Sequence, residues 1–228
     1  MKKENAFDAN WYLAKYEDIK NKNISAIWHY YEFGWKELRD PSEVFSTEYY
    51  LDKYKDIKSL GVNPLLHYIK NGKNEGRYSN QEEDDIELIS SSGFFDSDFY
   101  LENNPDLGTS KDFALLHFYR WGGLEGRSPS IHFNSSYYLH QYPDIYECKM
   151  NPLLHYILYG KAEGRYPDVQ REKIDRLRWG GIFDEKFYLE SNPDVKNSGQ
   201  DAATHFYYYG HKEGRAPCPN FNWKYYSK

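Results

Sequence analysis

The sequence is poor in cysteine, in long apolar runs and in clustered basic residues, and each shortage excludes a class of protein. Cys148 and Cys218 are the two cysteines, and they do not occupy matching positions of the repeat described below, so no disulfide framework is predicted. No apolar run approaches the ~20 residues of a membrane-spanning helix. No apolar segment follows the charged residues 1–6, so no signal peptide is predicted. We therefore expect a cytoplasmic protein without a membrane span.

The charged residues do not form a basic stripe. Lysine and arginine are scattered along the chain, and the net charge is −6. Because a nucleic-acid-binding protein concentrates basic residues on one face, nucleic acid is not expected as a partner. Only 39% of the residues are hydrophobic, yet 24 residues are tyrosines. A buried tyrosine ring removes a large apolar area from water while its hydroxyl forms a hydrogen bond, which compensates for the polar composition.

The sequence repeats itself at alternating intervals. The stretch from Asn63 to Arg77 returns almost unchanged from Asn151 to Arg165. Five histidines lie 38, 50, 38 and 50 residues apart, namely His29, His67, His117, His155 and His205. Self-similarity at a fixed period is typical of repeat architectures, here with an 88-residue unit of two repeats. We expect one helical-repeat domain, 1–228, with repeats at 7–44, 45–94, 95–132, 133–182 and 183–220 and a partial sixth at 221–228.

Each repeat is predicted to contain two short helices. Every copy opens with phenylalanine followed by Asp, Ser or Asn, which is typical of an N-cap preceded by a residue that contacts the ring at N4. This helix is predicted to end at a Tyr-x-Asp or Asn-Pro-Asp block. The second helix is predicted to begin at N-caps such as Asn63 and Asn151, each followed by proline. It is predicted to end at glycines with positive φ, namely Gly34, Gly72, Gly122, Gly160 and Gly210.

The longer repeats contain 12 more residues than the shorter ones. These residues predict an additional helix over 82–89 and another over 169–177. The predicted fold is thus all-α: a solenoid of short helix pairs with a third helix in every second repeat. In the first repeat Leu38 replaces the glycine of the Glu-Gly-Arg turn, so we expect that end to be the least regular.

The repeat histidines could be metal ligands or core residues. A closed metal site needs several converging ligands, whereas each motif copy contributes one histidine, so we favour a core imidazole that bonds a backbone group. The Asp96-Ser97-Asp98 triplet resembles the Asp-x-Asp metal motif of glycosyltransferases, but its counterparts occupy an N-cap and first turn, where acidic residues favour the helix dipole. We predict no metal site, no cofactor and no catalytic residue.

The Glu-Gly-Arg tails could be read as a catalytic acid and an arginine clamp. Five equivalent copies argue for a structural role, because an active site is normally built once. The planar guanidinium fork suits a carboxylate. The arginines predicted to form structural ion pairs are Arg39, Arg77, Arg127, Arg165 and Arg215. Their predicted partners are Asp18, Asp56, Asp106, Asp144 and Asp194.

The residue before the repeat glycine is the position that does not look purely structural. It is aromatic in four of five copies, as Phe33, Trp121, Tyr159 and Tyr209, and Asn71 in the second. Flat rings displayed along a repeat could stack on a glycan or a partner protein, which makes these four residues candidate ligand contacts. The alternative is packing between successive repeats, and the need of repeat units to bury their faces on neighbours favours it.

The combined pattern resembles a bacterial helical repeat, Phe-Asp-x-x-Tyr-Tyr-Leu, Asn-Pro-Asp-Val, Pro-x-x-His-Tyr and Gly-x-x-Glu-Gly-Arg-x-Pro, over nearly the whole chain. Similar repeats are joined to glycosyltransferases of surface-polysaccharide synthesis and to some secreted calcium-repeat proteins. The resemblance implies a non-catalytic binding or spacer module in surface-glycan assembly, within a longer glycosyltransferase-type protein. A protein-interaction scaffold without glycan contact is the alternative, and the oligomeric state is left open.

The carboxyl-terminal residues open a repeat without its second helix. We therefore expect the natural protein to continue beyond Lys228, because each repeat relies on the face of the next. We also expect Phe221 to pack onto the fifth repeat, with Trp223 or Tyr226 exposed.

Overall fold

The computed structural model describes residues 6–22 and 24–221. In these residues the chain forms helices and turns, with no β-structure beyond two isolated bridges, Ser42 with Phe45 and Ser130 with Phe133. The predicted all-α class is confirmed. The chain falls into two compact units that divide between Ser91 and Ser92. Within the described ranges, no helix has both the length and the apolar character needed to cross a bilayer. Trp223 and Tyr226 lie outside the described residues.

Every repeat begins with a seven-residue opening helix, and the predicted N-caps are confirmed. In the first repeat Asp8 Oδ1 accepts from the backbone N–H groups of Asn10 and Trp11. The phenylalanine before each cap contacts the tyrosine at N4, with ring centroids between 5.2 and 5.8 Å apart. The opening helices are Ala9–Lys15, Thr47–Lys53, Ser97–Asn103, Ser135–Gln141 and Glu185–Ser191.

A short middle helix follows each opening helix, so the prediction of helix pairs is wrong. The middle helices are Glu17–Lys20, Lys55–Leu60, Pro105–Leu107, Pro143–Glu147 and Pro193–Ser198, the third being a 3₁₀ turn. Proline interrupts the opening helix as expected, but it also begins the next one. Its fixed φ suits the first helical position, where its missing N–H removes no intrahelical bond.

A closing helix completes each repeat and ends in a π-helical turn. The α-helical parts are Ala26–His29, Pro64–His67, Lys111–His117, Pro152–His155 and Ala202–His205. The π turns are Tyr30–Gly34, Tyr68–Gly72, Phe118–Gly122, Tyr156–Gly160 and Phe206–Gly210. The N-caps Asn63 and Asn151 and the prolines after them are as predicted. The wide turn is marked by bonds five residues apart, such as Lys73 N to Tyr68 O at 3.0 Å.

The positive φ lies in the Glu-Gly-Arg turn and not at the glycine that ends the closing helix, so that prediction is wrong. Gly76, Gly126, Gly164 and Gly214 have φ between 70° and 80°. In the first repeat Leu38 takes the same conformation at φ 56°, at a cost of about 1–2 kcal/mol for a residue with a side chain. The expected irregularity of this turn is therefore not observed.

The two predicted additional helices are present as Gln81–Ser91 and Val169–Trp179. In the second unit Ile174 of the latter helix is buried in the core of the fifth repeat, together with Phe183 and Phe206. The additional helix therefore covers an apolar face of that repeat.

Each repeat is closed on itself by a backbone bond. The N–H of the N-cap residue donates to the carbonyl of a residue 33 positions later, at 2.8–3.0 Å. The five donor–acceptor pairs are Asp8–Pro41, Ser46–Ser79, Asp96–Pro129, Asn134–Pro167 and Asp184–Pro217. This bond brings the chain back to the start of its own opening helix before the next repeat begins.

A tyrosine of the opening helix forms the centre of each repeat. Tyr12, Tyr50, Tyr100, Tyr138 and Tyr188 are all fully buried. Leu65 and Tyr68 are buried as predicted, while Leu66 and His67 are half-buried. Ile69, assigned to the same apolar face from the sequence, is exposed and lies in the π turn Tyr68–Gly72.

Candidate functional site

The repeat histidines bond a tyrosine hydroxyl and not the backbone group expected from the sequence. Each central tyrosine places its Oη 2.9–3.0 Å from the Nδ1 of the histidine 17 residues later. The pairs are Tyr12 with His29, Tyr50 with His67, Tyr100 with His117, Tyr138 with His155 and Tyr188 with His205. The constant Tyr–His spacing was the signal in the sequence that could have revealed this contact.

The glycine that ends each closing helix makes room for this hydroxyl. A Cβ atom on Gly34, Gly72, Gly122, Gly160 or Gly210 would lie between 1.9 and 2.4 Å from the tyrosine Oη. No other residue type allows such an approach, so the glycine is required by contact and not by its backbone angle.

Burial favours the neutral form of the central tyrosines and of two of the histidines. It raises the pKa of each central tyrosine above its ordinary value of 10. It also lowers the pKa of His29 and His155 below 6.5. One imidazole nitrogen is thus engaged in every repeat. Among the described residues no three His, Cys, Asp or Glu side chains lie close enough to hold a metal ion.

Each repeat arginine lies beside the aspartate of its own repeat. The Arg77 guanidinium donates from Nη1 and Nη2 to the two Asp56 oxygens at 3.0 and 2.8 Å, and from Nε to Glu75 at 2.6 Å. Arg39–Asp18, Arg127–Asp106, Arg165–Asp144 and Arg215–Asp194 show the corresponding contacts. Hydrogen bonds from the arginine hold the pKa of each aspartate below its ordinary value.

The remaining contacts of these arginines are of two types. In the first, second and fourth repeats the guanidinium lies 4.7–4.8 Å from the ring centroid of Tyr16, Tyr54 or Tyr142. In the third and fifth repeats it donates to Asn104 or Asn192 instead. Each arginine thus forms its hydrogen bonds within its own repeat. We therefore assign these side chains a structural role and not a role in ligand binding.

The four candidate aromatic residues are about half exposed and are held from one side. Phe33, Trp121, Tyr159 and Tyr209 expose 48, 48, 51 and 57% of their surface. Each ring centroid lies 5.5–5.9 Å from the imidazole of its own repeat. The imidazole is in turn fixed by the central tyrosine. A ring that is immobilised on one side and open to solvent elsewhere can stack on a ligand with little loss of side-chain entropy.

A separate cavity of about 700 Å³ lies in the second unit, between Val169–Trp179 and the π turn Phe206–Gly210. The side chains that line it include Lys173, Arg176, Lys212, Phe206, Tyr207 and Tyr208. Sequence reasoning missed these residues because they come from two segments that are distant in the chain, such as Lys173 and Lys212. We call this space the cationic cavity.

The first unit has an apolar groove of about 380 Å³ between the closing helices of its two repeats. Phe7, Ile27, Trp28, Tyr31, Leu66 and Ile69 are among the residues that line it. At the corresponding place in the second unit, Asn151 Nδ2 donates to the carbonyls of Phe118 and Tyr119 at 3.0 and 3.2 Å.

The two units differ at one position beside this asparagine. A Cβ on Gly123 would lie 2.5 Å from Asn151 Nδ2, so the close approach needs glycine there. Trp35 occupies the corresponding position of the first unit and donates from Nε1 to the Tyr31 carbonyl at 3.1 Å.

Comparison of the chain with protein-family models, with curated proteins and with solved structures finds no match.

Proposed function

We propose that this chain is a non-catalytic, cytoplasmic helical-repeat module, stacked as a solenoid, that binds or spaces glycan chains during bacterial surface-glycan assembly as part of a longer glycosyltransferase-type protein. The observation that carries the proposal is that a half-exposed ring recurs at one position of four repeats, each in contact with the imidazole of its own repeat. Apolar C–H faces of sugar rings stack on such surfaces. The motif resemblance supplies the glycan context.

The polar residues of the repeat support a structural reading of the remaining motifs. The tyrosine–histidine pairs are buried or half-buried, and the arginines use their donors on carboxylates of the same repeat. Equivalent polar groups recur five times, whereas a catalytic constellation is normally assembled once. The proposed function therefore assigns recognition to the exposed rings and stability to the buried polar contacts.

Binding of the purified chain to a glycan array tests the proposal. We expect a set of glycans to bind and Trp121→Ala to weaken that binding. Trp179→Ala is the matched control, since this indole is 78% exposed but lies outside the repeated ring position. Equal losses in both variants, or no glycan binding by the wild-type chain, would contradict the proposal.

A protein-interaction scaffold is the second candidate, and the apolar groove of the first unit favours it. Exposed apolar surface next to a cleft is typical of protein-binding sites. A partner whose binding is lost in Ile27→Asp but kept in Trp121→Ala would support the scaffold. Glycan binding that is lost only in Trp121→Ala would support the first proposal instead.

A further inference from the structure

Two of the three charged side chains that line the cationic cavity are not used in ion pairs of the repeat. The charged side chains that line it are Lys173, Arg176 and Lys212, in a chain whose net charge is −6. Arg176 Nη2 lies 2.5 Å from Glu172 Oε1, but Glu172 also accepts from the Tyr137 hydroxyl at 2.6 Å through its other oxygen. Lys173 and Lys212 form no ion pair with any residue in the described ranges.

The same cavity has an aromatic wall. Tyr207 and Tyr208 meet edge to face with centroids 5.0 Å apart, and Tyr208 is 41% exposed. Phe206 and Leu177 supply an apolar floor. His211 lies at the edge, and its Nδ1 donates to the Phe206 carbonyl at 3.1 Å, so its Nε2 is left as an acceptor.

We infer that the cationic cavity binds an acidic saccharide, with the sugar ring on the tyrosine wall and its carboxylate or phosphate group between Lys173 and Lys212. The aromatic wall offers a stacking surface that a simple inorganic anion does not need. The lysines offer charge-assisted hydrogen bonds that a neutral sugar cannot use. None of the described residues that line the cavity carries a carboxylate, and the cavity volume is in the range of small-molecule sites.

This inference rests on the proposed glycan function and narrows it to one class of ligand.

The test variants use residues that other repeats carry at the corresponding position. Lys212→Asn introduces the residue found at the corresponding position of the second repeat, Asn74, so the turn is expected to fold normally. Lys36→Asn makes the same change at the corresponding position of the first repeat, where the lysine lies 5.5 Å from the Trp35 ring and outside this cavity.

Isothermal titration of the full chain at low ionic strength tests the inference, with an oligogalacturonate, a phosphorylated hexose, a neutral oligoglucan, inorganic phosphate and a nucleoside monophosphate as probes. We expect the oligogalacturonate or the phosphorylated hexose to bind best, and the better of the two identifies the acid group. Lys212→Asn and Lys173→Gln should each weaken that binding about tenfold, as expected for a lost charge-assisted hydrogen bond. Lys36→Asn should leave it unchanged.

Several results would overturn the inference. Inorganic phosphate or the nucleoside monophosphate binding as tightly as the acidic sugars would show a general anion site or a nucleotide site. Neutral glucan binding that is lost in Trp121→Ala but kept in both lysine variants would refute the acidic-sugar site while the proposed function stands. No binding of any saccharide, on the array or by titration, would refute the proposed function as well.

Discussion

Replacing Gly160 by alanine tests whether the repeat glycine exists to admit the tyrosine hydroxyl. The new Cβ would lie 2.1 Å from Tyr138 Oη, so the hydroxyl must move and lose its 2.9 Å contact with His155 Nδ1. Tyr138 is fully buried and His155 nearly so. The lost bond leaves a buried polar atom without its partner.

The expected cost of Gly160→Ala has two parts. An unpaired buried polar group costs about 1–3 kcal/mol, and overpacking typically costs about 1–3 kcal/mol more. The gain from replacing glycine in a helix offsets up to about 1 kcal/mol of this loss. In a Tyr138→Phe background the clash is removed, since the next atoms, Tyr138 Cζ and Tyr156 Cδ2, lie at 3.4 Å. There Gly160→Ala should be neutral or stabilising by up to about 1 kcal/mol.

Urea unfolding followed by far-ultraviolet circular dichroism gives the free energy of unfolding of both single variants and of the double variant. Tyr138→Phe alone should lower the free energy of unfolding by about 1–3 kcal/mol. The double variant should be at least as stable as the Tyr138→Phe variant. Gly164→Ala is the control, because its φ of 72° causes strain while its Cβ would meet nothing within 4 Å. Its cost should be the same in both backgrounds. If Gly160→Ala destabilises the Tyr138→Phe protein as much as the wild type, the hydroxyl is not the reason for the glycine.

Three further predictions concern packing and pH. Leu154→Ala should lower the free energy of unfolding by about 2–5 kcal/mol, because Leu154 is buried. Leu66→Ala should lower it by clearly less, because Leu66, the counterpart of Leu154, borders the apolar groove. Equal losses in urea titrations would contradict this prediction. The NMR titration midpoints of the His29 and His155 ring protons should lie below 6.5, because burial disfavours the charged form, and midpoints at or above 6.5 would show that the rings are solvated. Asp144 has a lower pKa in the folded chain than in the unfolded chain, so its contribution is present above about pH 4 and is lost as the pH falls toward the folded value. Asp144→Asn should therefore flatten the decline of the urea midpoint in acid, and an unchanged pH profile would argue against the ion pair with Arg165.

The sequence by itself determined the features that depend on neighbouring residues in the chain. N-caps such as Asp8 and Asn63 follow from an acceptor side chain placed before a helical run, and the bonds require only local geometry. The additional helices at Gln81–Ser91 and Val169–Trp179 follow from the 12-residue difference between repeats. The partner of each arginine was also predictable, since a planar fork and a carboxylate recur together in every copy.

Only the tertiary structure decided the contacts between residues that are distant in the chain. The π turn, the tyrosine–histidine bond and the role of Gly160 depend on how the opening and closing helices approach one another, which helix periodicity does not contain. The approach of Asn151 to the carbonyls of Phe118 and Tyr119 depends on Gly123, where the first unit has Trp35. The cationic cavity brings together residues that are distant in the chain, such as Lys173 and Lys212, which are 39 positions apart. A repeat pattern shows what its copies share, whereas side chains present in one copy acquire neighbours only when the chain packs.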